Sequence, residues 1–583
     1  MSLENAEWGE PTTSPLFPGE RARRAIIRDR VDSSMGAALP MFMATTRRAV
    51  FPTDATRSRI ETAQHGRAVS SGKQEPTAEC PEKPSDAPSQ PFSTHSRLGT
   101  AATGGLRRLT ERVHAVLVYL TVAFRRLHCR YTRAFIRNRI GSRAMVATTA
   151  RETTANSTLG EALITARAQY AAANPKSQAM QVEAARYLPG GNTRTTLFHG
   201  PYPLRFVKGE GCRLWDADGH DYVDFVAEYT AGMFGHSHPA IRRAIESALD
   251  FGINIGGHTQ LEVTLARAVT ERFPSIESVR FTNSGTEANL MNIAAARVWT
   301  KRSKIMVMRG GYHGGVLYFR HGGAAINAPF ETVLATYNDI EGAVAMARAN
   351  AADLACILLE PMFGSTGCIP ADRAFLHALR DVTTEIGALL IFDEVMTSRL
   401  APGGLQSVHG ISPDLTTLGK YVGGGMSFGA FGGRADIMAL FDPARPDALP
   451  HAGTFNNNVL TMSAGIAAME VLTPETVIAV NARCDALREC LNGIARAAGA
   501  TMQFTGRGSM LAVHFLDGPI RNEADADRGN QDLKELFYFD LLERGVYMTR
   551  RGMIIGSLAQ DSDAFAKLES AVEEFVRVRR RFL

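Results

Sequence analysis

Between about residues 236 and 473 the chain alternates short, largely apolar runs with longer stretches that are apolar on one face. The runs are Ser278–Thr282, Ile305–Met308, Ala355–Leu359 and Ala388–Phe392; the stretches include Glu287–Thr300, Ile340–Asn350 and Arg373–Ile386. Apolar runs of this length predict strands buried on both faces. Their alternation with helices predicts an α/β fold whose mainly parallel sheet carries helices on both sides. Upstream, Glu161–Ala173 has helical spacing and Leu188–Gly191 (LPGG) closes it in a turn. Leu204–Val207, Cys212–Asp216 and Tyr222–Phe225 read as short strands of a small sheet, parted by Gly209, Gly211 and the turn Asp218-Gly219. After Thr473 the helix Val477–Ala498 opens a smaller α+β domain. The predicted organisation is a segment 145–235 with the small sheet, a large domain 236–473 and a small domain 474–583.

Residues 1–144 break this pattern. They are rich in Ser, Thr, Pro, Ala and Arg without sustained periodicity, and such a stretch buries too little apolar surface to offset its ordering entropy. The segment is expected to be a disordered basic extension with one Arg-flanked helix near residues 107–140. Its apolar core HAVLVYLTVAF is 11 residues long, short of the ~20 needed to span a bilayer, so no membrane partner is expected. An extension with no catalytic role is the reading, with a helix lying on a membrane or acting as a targeting element as the alternative. Met145 opens a polar lead-in, and a chain beginning there is expected to be a self-sufficient enzyme.

Charge follows the same division. The extension holds 23 Lys and Arg against 13 Asp and Glu, whereas the remainder holds 41 against 46. The overall +5 therefore says nothing about the body of the chain, and no nucleic-acid partner is expected. Seven scattered cysteines with no CxxC pair argue against a disulfide framework or a zinc site, and a reducing, cytoplasmic setting is expected.

In a sheet of this kind ligands gather beyond the carboxyl ends of the strands, so the residues after each apolar run carry the candidate chemistry. After Ser278–Thr282 come Asn283, Ser284, Gly285 and Thr286 at a helix start, where free N–H groups and hydroxyls suit an anion. Simple N-capping is the competing reading there. After Ile305–Met308 come Gly310, Gly311, Tyr312, His313 and Gly314, where glycines let a flat ligand approach an aromatic ring. Glu360 follows Ala355–Leu359, and Asp393-Glu394-Val395 follows Ala388–Phe392. A buried strand-end carboxylate needs a partner; a protonated pyridine nitrogen is one and a structural salt bridge another, and no metal-ligand spacing lies nearby. Lys420, between an apolar segment and three glycines, is placed to be desolvated and to attack an aldehyde.

Taken together, NSGTEA (283–288), GYHG (311–314), IFDEV (391–395), Gly419-Lys420, GMSFGAFGG (425–433) and Gly453-Thr454-Phe455 resemble class III aminotransferases, pyridoxal 5'-phosphate (PLP) enzymes of fold type I. The resemblance runs from about Ala168 to the C-terminus. It implies Lys420 as the Schiff-base lysine, Asp393 at the pyridine nitrogen, Ser284, Gly285 and Thr286 at the phosphate, and Tyr312 stacked on the ring. His313, Glu360 and Val395 complete the implied cofactor-binding set. Thr454 resembles a threonine that reaches the neighbouring subunit's cofactor, implying a homodimer with shared active sites. LPGG, WDADG (215–219) and GHSHP (235–239) are shared with glutamate-1-semialdehyde aminomutases. The similarity is closer to β-amino acid aminotransferases, through Asn192-Thr193-Arg194, EYTAG (228–232), DEVMTSRL (393–400) and GTFNNN (453–458). That resemblance implies that Arg194 receives the substrate carboxylate and Arg551 that of the amino acceptor. It further implies transfer from a 3-amino-3-arylpropanoate to a 2-oxo acid such as 2-oxoglutarate or pyruvate, with intramolecular aminomutase chemistry as the alternative. His199-Gly200 and Arg550 depart from the pattern in ways that reshape the side-chain pocket.

Overall fold

A computed structural model describes residues 158–583, so the extension and Met145 lie outside the described residues. The chain enters with helix Leu159–Ala173, whose start is a capping box: Thr158 Oγ1 accepts from the Glu161 N–H and Glu161 Oε2 from the Thr158 N–H. A small antiparallel sheet follows, of β1 (Phe206–Glu210), β2 (Arg213–Asp216) and β3 (Asp221–Asp224). β1 starts two residues later than the apolar pattern predicts and runs through Gly209. That glycine lies inside the strand because a Cβ there would meet the His236 ring at 2.8 Å.

The large sheet comprises β4 (Ser278–Thr282), β5 (Lys304–Met308), β6 (Thr332–Ala335), β7 (Leu354–Leu359) and, after the short hairpin β8 (Met362–Phe363) and β9 (Ile369–Pro370), β10 (Leu389–Asp393), β11 (Leu415–Gly419) and β12 (Gly429–Gly433). Its order is β4-β12-β11-β10-β7-β5-β6. β12 runs antiparallel to both neighbours while every other pairing is parallel. Positions along β7, β10 and β11 are buried without alternation, as strands covered on both faces require. Helix Arg373–Ile386 lays Phe375, Leu376, Leu379 and Val382 on one face of this sheet; Ala288, Ile293, Ala295 and Ala296 of helix Gly285–Thr300 belong to the core on another.

After helix Pro474–Ala498 the chain forms a second antiparallel sheet from β13 (Gln503–Arg507), β14 (Met510–His514) and β16 (Met553–Ile555). Between them β15 (Val546–Tyr547) leaves to pair in parallel with β3, so residues near the two ends of the described chain complete one sheet. One continuous core joins Tyr170, Tyr222 and Phe225 to Leu536, Phe537 and Phe575. Among the described residues no single helix is long and apolar enough to cross a membrane.

Candidate active site

Because β4, β5, β7, β10 and β11 are parallel, their carboxyl ends open on one edge of the sheet. There they line a cavity of about 810 Å³. It gathers Ser284, Gly285 and Thr286 from after β4, Tyr312 and His313 from after β5, Glu360 from after β7, Asp393 and Val395 from the end of β10, and Lys420 from after β11. Arg194 and Arg551 come to the same cavity from opposite ends of the described chain.

Asp393 is 4% exposed and fully engaged. Its Oδ2 accepts from Asn289 Nδ2 at 2.8 Å and faces His313 Nδ1 at 2.8 Å, and its Oδ1 accepts from the Val395 N–H at 3.0 Å. Asn289 is itself held: its Nδ2 also reaches the His313 carbonyl at 2.9 Å, and its Oδ1 accepts from Thr417 Oγ1 at 2.7 Å. Thr417 in turn accepts from Asn292 Nδ2 at 2.8 Å. A buried network with this many partners fixes the carboxylate and its imidazole neighbour in one orientation. His313 Nε2 is buried and has no partner among the described residues.

Glu360 stands beside this network. Its Oε1 accepts from the Tyr312 N–H at 3.1 Å and its Oε2 from the Gly364 N–H at 2.9 Å. Burial, opposed by His313 and reinforced by Asp393, pushes its carboxyl up to about 7. The Lys420 amine is drawn below the ordinary lysine value, first by desolvation, with Asp393 and Glu360 pulling the other way. Lys420 also adopts φ +54°, a left-handed conformation disfavoured for a side chain with a Cβ and characteristic of functional positions.

At the other end of the cavity, Ser284 caps helix Gly285–Thr300, its Oγ accepting from the Glu287 N–H at 3.2 Å. Capping and anion binding are compatible here. The N–H groups of Gly285 and Thr286 in the first turn have no acceptor within the helix. Gly285 is required by space, since a Cβ would meet Val395 Cγ2 at 2.7 Å. Thr286 Oγ1 accepts from the Gly315 N–H at 3.2 Å, tying the glycine loop after β5 to this helix start. The Tyr312 ring, 38% exposed, meets Tyr318 edge to face at 5.8 Å.

The mouth is built differently. Arg194 forms an ion pair with Glu228 and lies over the Tyr229 ring at 5.6 Å. Among the described residues no carboxylate stands at ion-pair distance from Arg551. Arg551 also borders a second cavity of about 170 Å³, together with His199, Tyr538 and Arg550. Two of the residues that depart from the family pattern, His199 and Arg550, thus line this side pocket. His199 Nε2 faces the Tyr538 hydroxyl at 3.2 Å, and burial keeps the imidazole below its ordinary value. Arg550 pairs with Glu535, which also carries Arg167.

Thr454 alone among the predicted site residues does not line the cavity; it is exposed on the loop before helix Val459–Val471. Outside the cavity His321, Glu523 and Asp527 converge at metal-ligand spacing. Arg320 already occupies that cluster, 2.6 Å from Asp527 Oδ1. Sequence reasoning missed Asn289, Asn292, Thr417 and Glu228 as members of the site. The first two were signalled by two asparagines three apart on an Ala-rich helix; Glu228 opens the EYTAG motif but nothing local points it at Arg194, and Thr417 carries no local signal.

The class-III aminotransferase family model matches residues 198–320 and 323–560. The chain is 50% identical to the β-phenylalanine transaminase of Variovorax paradoxus over 419 residues, 72% of this chain and 96% of that protein. The crystal structure of that enzyme superposes with a TM-score of 0.72, covering 73% of this chain and 99% of the other. A transaminase solved with PLP bound, 33% identical, gives a TM-score of 0.65 over 70% of this chain and 99% of its own. A glutamate-1-semialdehyde 2,1-aminomutase of Desulforudis audaxviator is 37% identical over 422 residues, 69% of this chain and 97% of that one.

Proposed function

The chain belongs to the class-III aminotransferases, PLP-dependent enzymes of fold type I, and from that premise we propose that it moves the amino group of a β-amino acid of the 3-amino-3-arylpropanoate type to a 2-oxo acid such as 2-oxoglutarate or pyruvate. The observation that carries the reading is the presence of Arg194 in one cavity with Lys420 and Asp393. It supplies a planar, two-pronged donor for a substrate carboxylate beside a desolvated amine.

The residues present fit PLP. His313 Nε2 is an orphaned buried nitrogen at the cavity wall, and the Gly285 and Thr286 N–H groups await acceptors at the start of a 16-residue helix. When bound, the cofactor supplies an aldehyde that captures an amine and a ring that accepts the electron pair left by proton loss. Ser284, Gly285 and Thr286 would take its phosphate, Tyr312 would cover its ring, and Glu360, Val395 and His313 would close the wall around it. Asp393 would face the pyridine nitrogen and favour its protonated form, and Asn289 and His313 hold Asp393 in place. Lys420 Nζ takes the proton from the amine-bearing carbon of the donor and returns it on the far side of the transfer. Arg194 orients the donor by its carboxylate, and Arg551 receives the carboxylate of the acceptor.

The working unit is a homodimer in a reducing, cytoplasmic setting. Phe251, Ile253, Ile255 and Phe455 are large apolar side chains left exposed. Asn457 Nδ2 ties the Thr454 loop to the Gly257 carbonyl, so Thr454 stands by this apolar ground, where a second copy would cover it. Among the described residues, Cys212, Cys356, Cys368 and Cys484 form no disulfide.

The test mixes purified protein, 3-amino-3-phenylpropanoate and 2-oxoglutarate, and follows glutamate. Glutamate formation is expected. No amino acid product from 2-oxoglutarate or pyruvate, together with turnover of glutamate-1-semialdehyde, overturns the reading.

A further inference from the structure

Ala227, Glu228, Tyr229 and Thr230 have φ values of 41°, 46°, 53° and 81°. Four successive side-chain-bearing residues in left-handed backbone are costly, because each Cβ crowds the next carbonyl. Such a turn persists only when its surroundings over-determine it. Part of that determination is local. Asp224 Oδ1 accepts from the Val226 and Ala227 N–H groups at 2.7 and 3.1 Å, and the Gly232 N–H returns to the Ala227 carbonyl at 2.8 Å. The turn matters to the site because Glu228 pairs with Arg194 and the Tyr229 ring lies under the Arg194 guanidinium.

The exit of the turn is held from a distance. Arg399, on the 3-10 segment Thr397–Leu400 shortly after Asp393, is wholly buried. Its Nη1 donates to the Thr230 carbonyl at 3.0 Å, its Nη2 to the Gly556 carbonyl at 2.5 Å and its Nε to Ser509 Oγ at 3.0 Å. Asn481 braces the arrangement, donating to the Arg399 carbonyl at 2.9 Å while its Oδ1 accepts from the Ser509 N–H at 2.7 Å. None of these partners is a carboxylate. A buried guanidinium without a counter-ion is expensive, and an apolar side chain of similar volume would serve packing at lower cost. Its geometry offers what an apolar side chain does not. One planar fork fixes the spacing between the segment that follows Asp393, the turn that carries Glu228, and the strand end after β16.

We propose that Arg399 is a positioning residue for substrate binding, locking the left-handed turn so that Glu228 and Tyr229 hold Arg194 in its carboxylate-receiving place. The inference rests on the reading of Arg194 given above. Arg399 touches neither cofactor nor substrate and acts through the turn.

The test uses the holoenzyme with 3-amino-3-phenylpropanoate and 2-oxoglutarate. Arg399→Met is expected to raise the donor KM by about tenfold or more, the scale of a misplaced binding group, with a smaller change in kcat and an unaltered spectrum of the bound cofactor. Arg399→Lys, able to reach the Thr230 carbonyl, should recover part of the loss. In the Arg194→Met background, Arg399→Met should raise KM no further, because both act through one arm. If Arg399→Met does not yield folded protein, Arg399→Gln, which keeps a donor but loses the three-way fork, takes its place with the same expected KM rise. An unchanged KM, an equal loss in kcat and KM, or additivity with Arg194→Met overturns the proposal. Should Arg194→Met itself leave KM unchanged, the carboxylate reading falls and the proposal with it. A KM raised by Arg194→Met but not by Arg399→Met or Arg399→Gln removes only the proposal.

Discussion

On the inner side of the cavity, Asp393, Glu360 and His313 are buried at the ends of parallel strands, and nearly every polar atom has a partner inside the same sheet and its covering helix. On the outer side, Arg194 and Glu228 are half exposed on loops, one after a 3-10 turn and one in left-handed backbone, and their support comes from Arg399 and the C-terminal sheet. The inner side is rigid because a regular scaffold makes its geometry. The outer side is rigid only where distant residues force it to be. Chemistry that is common to a whole family can sit on the first kind of support, whereas the choice of substrate can vary on the second without disturbing it.

Substitutions at each side break this contrast in different observables. The largest effect is expected at Lys420. Lys420→Ala removes the amine proposed to carry the proton, and turnover should fall by about 10⁴-fold, while the visible absorbance of covalently held cofactor should disappear. An unchanged spectrum would show that another group holds the cofactor. Arg194→Met comes next. It deletes a charge-assisted contact worth about 1.5–3 kcal/mol, so kcat/KM for the β-amino donor should drop about ten- to a hundredfold with the absorbance intact. If the absorbance is lost as well, the two sides are not separable.

A subtler change asks how firmly the inner network is preorganised. Asn289→Ala leaves Asp393 with His313 and the Val395 N–H but removes the donor bridging it to Thr417. Loss of the bond to the Asp393 carboxyl, about 1.5 kcal/mol at the low end for a charged partner, should lower kcat about tenfold with little change in donor KM. A KM effect alone, measured in steady-state assays, would mean that the network reaches the substrate side.

The same contrast explains what could be read in the sequence. Each inner residue follows an apolar run, so β4 and helix Arg373–Ile386 were predicted to the residue and the strand-end residues with them. β12 was not read as a strand, because GAFGG signals a turn. Its glycines are there because side chains at Gly432 and Gly433 would run into the backbone of β4 and of the segment entering β11. β15 is two residues long and joins a strand more than 300 residues upstream, which no local pattern encodes. The outer side suffers the same limit. Glu228 reaches Arg194 only through a left-handed turn without glycine at its centre, and Arg399 reads locally as an ordinary charged residue.

The smallest predicted effect concerns the cost of burying the inner side. Glu360 is held at about 7 by burial, against an ordinary value of 4.5, so the folded chain keeps a proton that the unfolded chain releases between those values. The stabilising contribution of that proton is complete below 4.5 and is lost as pH rises through about 7. Glu360→Gln carries no such proton and retains an acceptor oxygen for the Tyr312 or Gly364 N–H. The melting temperature of wild type relative to the variant should therefore fall from pH 5 to pH 8, by roughly 1–2 °C for a chain of this size. Calorimetry at unit pH intervals reads the difference. A flat or rising difference would place a negative charge on Glu360 throughout, and burial would then not be what sets its protonation.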